Sequence, residues 1–480
     1  MGFRHTRKLI LTLATACALA IVAPGLRAQQ DASSGTGGGQ SGDTTGASNG
    51  APQNVPGPVG GVEQYNLGEG PSGRSFVIPR LSLQELYDSN TGYAATTGAS
   101  QGDAVTSIYG GLTLQVANRR SLFSMAYSSG GLLYNTQTQS NGVVQQLNAT
   151  EKITLRRWTL LMGENFSYLP NSEFGLGGQG FLGDTTGLPG IGVGTGFNPY
   201  VVPTQTIVAP NVSQLSSATV FQAQYFVNPT SSINGSATVG FLHFFGENLL
   251  NSRNVTARFG YDKSLTVKDT ISFSYMASIL DYPSGISGFT SQYVQVGYRR
   301  LIKQRLVLSL STGPVISHFS PQMGQTTVAG EANLVDWSTF ATLAYQVRRG
   351  SLNAQYTHGV AGGSGFFPGT TADQLTVGLS RLITRVWSVG FTGGYARNSS
   401  LEQTSSTGTM NTTSTFNSWY GGSTVSRPLG HYSSLQFYYN VSRQTGNTTV
   451  CVNGISCGSI ALTQTGGMTI TWSTRPRLLD

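Results

Sequence analysis

Charge is what this chain has least of. Asp, Glu, Lys and Arg make up 10% of its 480 residues, where an ordinary soluble protein carries about 25%. Composition therefore argues against a soluble globular protein. Cysteine is nearly absent, with Cys17, Cys451 and Cys457 the whole complement. Past residue 28 there is no run of 18 or more apolar residues, so nothing there is built to cross a membrane as a helix. Basic charge is also scarcer than the formal +8 suggests. Arg4, Arg7, Lys8 and Arg27 all fall in the first 28 residues, and without that segment the balance is +4. No Lys/Arg-rich face interleaves with stacking aromatics, which excludes nucleic acid as a partner.

Glycine and aromatic residues are abundant instead. Gly accounts for 63 positions, and Phe, Tyr and Trp for 10% of the chain. The N-terminus reads as a signal peptide over residues 1–28: a basic segment, an apolar run from Leu9 to Ala23, and Leu26-Arg27-Ala28 as a cleavage site. Cys17 lies inside that apolar run, which is no place for a lipid-bearing cysteine. Residues 29–73 are rich in Gly, Ser, Thr, Gln, Asn and Pro, and Tyr65 is their first aromatic. Such a stretch cannot bury enough to offset chain entropy, and it reads as a flexible linker.

From residue 74 to 480 one pattern persists. Val294, Val296 and Tyr298 alternate with Gln295 and Gly297; after a basic knot, Leu306, Leu308 and Leu310 alternate with Ser309. This is the two-residue period of a β-strand, folded back at the knot as a hairpin. Leu375, Val377 and Leu379, followed by Trp387, Val389 and Phe391, repeat the arrangement. Eight short turns of this kind can be read, centred near Asn118, Arg157, Pro229, Ser264–Lys268, Arg300–Gln304, Arg348–Gly350, Arg381–Thr384 and Pro428–Gly430. Between them fall longer polar connections near 89–103, 129–146, 169–215, 246–250, 282–287, 320–333, 361–371, 398–413 and 446–460.

Strands that cross lipid must satisfy their backbone groups among themselves, so the sheet has to close. An even strand number, short turns at one rim, long loops at the other and apolar-out, polar-in alternation define an outer-membrane barrel. The expected fold is therefore all-β: a transmembrane antiparallel up-and-down barrel of about 18 strands, in the range 16–18. Trp158, Tyr261, Tyr298, Tyr345, Trp387 and Tyr432 are expected to form an aromatic girdle beside the short turns. Tyr127, Phe166, Phe245, Tyr282, Phe319, Tyr356, Tyr395 and Tyr439 are expected to form a second, toward the long loops. Lipid is then the surrounding partner, and the compartment is a Gram-negative-type outer membrane.

The opposite phase of each strand supplies a lumen lining of Ser, Thr, Asn, Gln and Gly. Its named candidates are Gln115, Lys152, Gln222, Gln224, Arg258, Gln295, Asn353, Gln355, Gln436 and Asn440. A lining short of charge suits neutral, hydroxyl-rich solutes, since strong ion selectivity uses rings of one sign. The connection 169–215 is long, Gly-rich and fairly apolar, and is a candidate to fold inward as a plug. Cys451 and Cys457 are close enough in sequence to form a small disulfide loop in an oxidising compartment. No acid or His lies between them to complete a metal site. The sequence marks no catalytic residue, cofactor or metal site.

The stretches "LSRLITRVWSVGFTGGY" and "VSRPLGHYSSLQFYYNVSRQ" resemble the recurrent strand–turn–strand of β-barrel porins associated with exopolysaccharide export. The resemblance covers roughly residues 76–474 through a generic motif. It implies an outer-membrane location and a role in moving saccharide. One departure touches the barrel assembly machinery, which reads a terminal aromatic in many outer-membrane barrels. Here the chain ends in Asp480, with Trp472 in the last strand. Three functions follow as expectations: a passive pore for small hydrophilic, mostly neutral solutes; a dedicated exopolysaccharide export barrel; and a structural or adhesive surface barrel with a closed lumen.

Overall fold

The computed structural model describes residues 75–91, 100–136, 141–170, 212–245, 249–283, 288–302, 305–319, 333–347, 349–363, 367–384, 386–401, 415–430, 432–446, 460–474 and 477–479. The expected signal peptide and linker, most of the 169–215 connection and the Cys451/Cys457 pair lie outside them. Eighteen long strands follow one another: β1 (Phe76–Asp88), β2 (Asp103–Ala117), β3 (Ser121–Tyr134), β4 (Gly142–Thr154), β5 (Trp158–Leu169), β6 (Gln214–Asn228), β7 (Ser231–Phe244), β8 (Ser252–Ser264), β9 (Asp269–Asp281), β10 (Phe289–Ile302), β11 (Leu306–Phe319), β12 (Asn333–Val347), β13 (Gly350–Gly363), β14 (Phe367–Leu382), β15 (Ser388–Ser400), β16 (Thr415–Pro428), β17 (Ser433–Gly446) and β18 (Ile460–Ser473). A two-residue β19 (Arg477–Leu478) pairs with the start of β1.

Every long strand pairs antiparallel with the next, and β1 pairs with β18 from Arg80↔Ser473 to Asp88↔Thr465. The sheet is a closed barrel of 18 strands. Closure disposes of the two edges that lipid would punish, because each unpaired backbone group in hydrocarbon costs several kcal/mol. The eight tight turns, the start of β1 and the end of β18 share one rim.

Alternation sets the two faces. In β10, Val294 and Val296 are 56% and 50% exposed, while Tyr293 and Gln295 between them are 0% and 3%. The outward face carries Leu81, Leu83, Phe259, Phe273, Leu310, Phe391 and Ile470, all exposed. Aromatic tips on this face find polar partners. Tyr298 donates to Asp269 at 2.6 Å, Tyr356 to Asp373 at 3.0 Å, Tyr395 to Asn417 at 2.9 Å and Tyr439 to Gln464 at 2.8 Å. Trp158 rests against Tyr225 with ring centroids 4.8 Å apart. Tyr87, Trp337 and Trp419 are exposed aromatics of this face that the sequence reading did not place in a girdle.

Three expectations need correction. Tyr282 belongs to no outward girdle; it is buried in an interior apolar cluster. The connections expected at 129–146 and 361–371 are shorter, because β3 runs to Tyr134 and β4 starts at Gly142, while β13 runs to Gly363 and β14 starts at Phe367. Small and polar residues there hide strand character in the sequence, but ladder pairing continues through them, as in Gly131↔Val143 and Gly363↔Phe367.

One seam is partial. β12 and β13 pair only from Val347↔Gly350 to Thr339↔His358. Beyond that, Asn333–Ser338 keeps pairing with β11 and Gly359–Gly363 with β14, but not with each other. Asp336 lies by this slot, with Oδ1 3.8 Å from His358 Nε2 and Oδ2 accepting from Thr371 Oγ1 at 3.4 Å. His358 Nδ1 is 2.7 Å from Asp373 Oδ1 on the other side.

Candidate functional site

The inner wall is the one surface that the fold encloses, and strand phase decides what stands on it. Gln115, Lys152, Gln222, Gln224, Arg258, Gln295, Asn353, Gln355, Gln436 and Asn440 all fall on the face opposite the exposed apolar residues. Gln115, Gln224, Arg258, Gln295, Gln436 and Asn440 are buried; Asn353 is exposed.

These side chains bond sideways along the wall. Gln295 Nε2 donates to Ser338 Oγ at 3.1 Å and Ser311 Oγ to Gln295 Oε1 at 3.4 Å. Gln224 Nε2 donates to Ser232 Oγ at 3.1 Å. Ser232 Oγ and Asn234 Nδ2 then donate to Asp262 Oδ2 at 3.3 and 2.6 Å. Arg258 donates to Ser274 Oγ at 3.0 Å. Ser128 Oγ donates to Gln146 Oε1 at 3.3 Å. Such a lattice of amides and hydroxyls fixes side-chain positions while leaving spare donors and acceptors for a solute.

The wall is not polar throughout. Toward the long-loop end, Leu86, Val105, Tyr109, Leu132, Tyr134, Val144 and Tyr438 form an apolar cluster across β17 and β1–β4. On the far side, Leu250, Met276, Leu280, Tyr282, Phe289, Tyr293, Val315 and Val360 form another, joined by Leu401. Each gathers residues from strands that are not neighbours, as where Tyr293 on β10 meets Val360 on β13. Sequence reading missed them, although they stand in phase with lining residues: Tyr293 precedes Gln295 by two, and Tyr109 follows Ser107 by two.

Charges on this face are sparse and of both signs, with Arg80, Lys152, Arg258 and Arg299 against Asp88, Asp103, Asp262 and Asp336. Arg80, Lys152, Arg258 and Arg299 point inward, between the middle of their strands and the tight-turn end. Asp262 accompanies them. Asp88 and Asp103, at the opposite rim, accept backbone amides: Asn90 N–H at 2.9 Å and Thr136 N–H at 3.0 and 3.2 Å. Among the described residues, no group of three or more His, Cys, Asp or Glu is placed to hold a metal ion.

No family model and no curated protein matches the chain. Solved barrels resemble it distantly. OccK2 (OpdF) of Pseudomonas aeruginosa, in a complex with glucuronate, aligns over 85% of this chain and 98% of its own at 9% identity and a TM-score of 0.42. The outer membrane protein OpdK of the same organism aligns over 83% and 98% at 8% identity and 0.40. OccK11 (OpdR), also from Pseudomonas aeruginosa, aligns over 84% and 98% at 11% identity and 0.39. The barrel assignment rests on the strand pairing of the chain itself.

Proposed function

We propose that this protein is an outer-membrane pore through which small hydrophilic, mostly neutral solutes pass down their gradients. One observation carries the reading: within a closed 18-strand barrel, the inward face at mid-height is built from Gln, Asn, Ser and Thr, while the outward face is apolar. Barrels with this many strands enclose an aqueous channel when nothing plugs them. A lining of neutral donors and acceptors replaces water for hydroxyl-rich solutes with little selection by charge. The outward apolar band with aromatic tips suits lipid, and export through the signal segment followed by insertion by the barrel assembly machinery completes the reading. Saccharides are the cargo class that best matches the lining.

The test is single-channel recording of the full protein, purified from outer membranes and reconstituted in a planar bilayer. Steady conductance steps, partly blocked by added oligosaccharide, are the expected result. Silence from protein shown to be a folded barrel would overturn the pore reading and leave a surface-structural role.

A further inference from the structure

At the partial seam the two lips of the wall overlap. On β13 and β14, His358, Val360, Thr371 and Asp373 share the outward phase of exposed Tyr356 and Leu375. On β12, Asp336 stands opposite inward-facing Val315 and in step with buried Ser338 and Phe340, so it belongs to the inward face. In a wall one layer thick these two sets would point to opposite sides. Here they touch. Asp336 Oδ2 accepts from Thr371 Oγ1 at 3.4 Å, and Asp336 Oδ1 is 3.8 Å from His358 Nε2. Val360, outward by phase, is 1% exposed and packs in one cluster with inward-facing Tyr293 and Val315. A Cβ on Gly369 of β14 would come within 3.0 Å of the ring of inward-facing Phe289 on β10. The long-loop end of the β13–β14 hairpin therefore lies inside the barrel, its outward face against the inner wall of β10–β12. Stacked β-layers pack about 10 Å apart, so this lip takes the thickness of a second layer out of the lumen.

The first missing rung has a substitute on each strand. Val347 and Gly350 flank a two-residue turn and bond each other, and bonded pairs recur at every second position of an antiparallel ladder. Past Thr339–His358 the next bonded pair in register would be Trp337–Val360. Instead, the Trp337 N–H donates to Asp336 Oδ1 at 2.7 Å, and the Val360 carbonyl accepts from the Tyr293 hydroxyl at 3.3 Å. The phases would still match if the ladder closed. Val360 would then stand outward beside Trp337, and Ala361 inward opposite Asp336. The lip thus has two homes, one in the lumen and one in the wall.

We infer that this lip is the constriction that sets the size of solute the pore admits: the channel is narrow with Gly359–Gly363 folded in, and wide when that segment zips onto Asn333–Ser338. The inference rests on the pore reading and names the element that discriminates by size within it.

Asp336 distinguishes the two homes, because it faces a different partner in each. With Cys451 and Cys457 replaced by Ser, Asp336→Cys/Thr371→Cys should form a disulfide with the lip folded in. Asp336→Cys/Ala361→Cys should form one with the lip in the wall, where a non-bonded pair brings its Cα atoms to about 4.5 Å, within disulfide reach. The full protein is studied in planar bilayers and by osmotic swelling of vesicles in saccharides of increasing length, before and after reduction. Folding is checked by heat-modifiable mobility in gels and disulfide formation by thiol titration.

The oxidised Asp336→Cys/Thr371→Cys variant should keep the wild-type step and size limit. The oxidised Asp336→Cys/Ala361→Cys variant should give a larger step, by about twofold or more, and admit longer saccharides, since a wide barrel without the inner layer is an open aqueous channel. Reduction should reverse that gain. If the second disulfide does not form, Val360→Asp, which puts a charge into the apolar seat of the lip, must produce the larger step instead. Equal steps from both oxidised variants, no gain from Val360→Asp in that case, or failure of the first disulfide to form would overturn the inference while leaving the pore in place. The absence of any channel in the folded wild type would remove the pore reading itself, and the inference with it.

Discussion

The hydroxyl of Tyr293 on β10 donates a hydrogen bond to the backbone carbonyl of Val360 on β13, 3.3 Å away and three strands around the barrel. Val360 lies just beyond the last β12–β13 pair, where its neighbour on the β12 side has ceased to bond. A tyrosine from the interior thus reaches a strand edge that the sheet leaves open.

Tyr293→Phe removes that donor and keeps the ring in its apolar cluster. A buried carbonyl that loses its partner costs about 1–3 kcal/mol. The expected outcome is a lower urea midpoint in vesicles. Amide exchange should also accelerate over residues 359–363 and stay unchanged in the β1–β18 seam. Uniform acceleration across the barrel would contradict the local role.

Gly467 sits in the closing strand where a Cβ would come within 2.5 Å of the Glu85 carbonyl and 2.9 Å of the Leu86 Cα. Neither backbone atom can move without opening the β1–β18 ladder. Gly467→Ala should therefore reduce the folded, heat-modifiable gel species severely. Gly110→Ala, whose Cβ would meet nothing nearer than 4.0 Å, should leave it intact.

Glu164 stands on the outward face of β5 and accepts from Ser217 at 2.8 Å and from Thr219. Glu164→Gln keeps an acceptor for those hydroxyls and should change the unfolding free energy by less than about 1 kcal/mol. Glu164→Lys puts an ammonium on the outward wall; if that wall meets lipid, a Lys there costs about 2–4 kcal/mol at the bilayer midplane and less toward the interfaces. Denaturant titration in vesicles separates the two. Equal stabilities would place this face away from lipid.

Trp158, Trp337, Trp419 and Trp472 are all exposed on the outward face. In vesicles of brominated lipid their fluorescence should be quenched most by bromines near the headgroups and less by bromines at the chain ends. No quenching at either depth would remove the membrane-facing assignment of this wall.

The strands were legible in the sequence because one face of the wall is apolar and the other largely polar, so apolar residues recur at every second position. Leu306, Leu308 and Leu310 announce a strand without help from tertiary structure. The tight turns were legible too, as basic or Pro/Gly knots between such runs. The apolar clusters were not. Tyr109, Tyr293 and Val315 stand in the phase of Ser and Gln, and only the closed barrel gathers the first into one cluster and the other two into another. Arg80 and Arg299 were hidden for another reason. Arg80 follows Pro79 and Arg299 abuts Arg300 and a turn, so the sequence does not show their strand phase, and pairing puts both on the inner face. The partial seam is only faintly marked in the sequence: past His358, β13 reads Gly-Val-Ala-Gly-Gly, where small residues blur the alternation, while β12 keeps Val335 and Trp337 in step on its outward face.

That seam changes what kind of object the barrel is from one height to another. Below Thr339 and His358 the wall is a ring, and anything inside can leave only along the axis. Above them it is a trough with two lips, Asn333–Ser338 and Gly359–Gly363, each anchored to its own neighbour and neither to the other. A trough can widen by bending one lip, which breaks no ladder bond, whereas a ring can widen only by losing a row of them. The long-loop half is therefore the compliant half and the tight-turn half the stiff one.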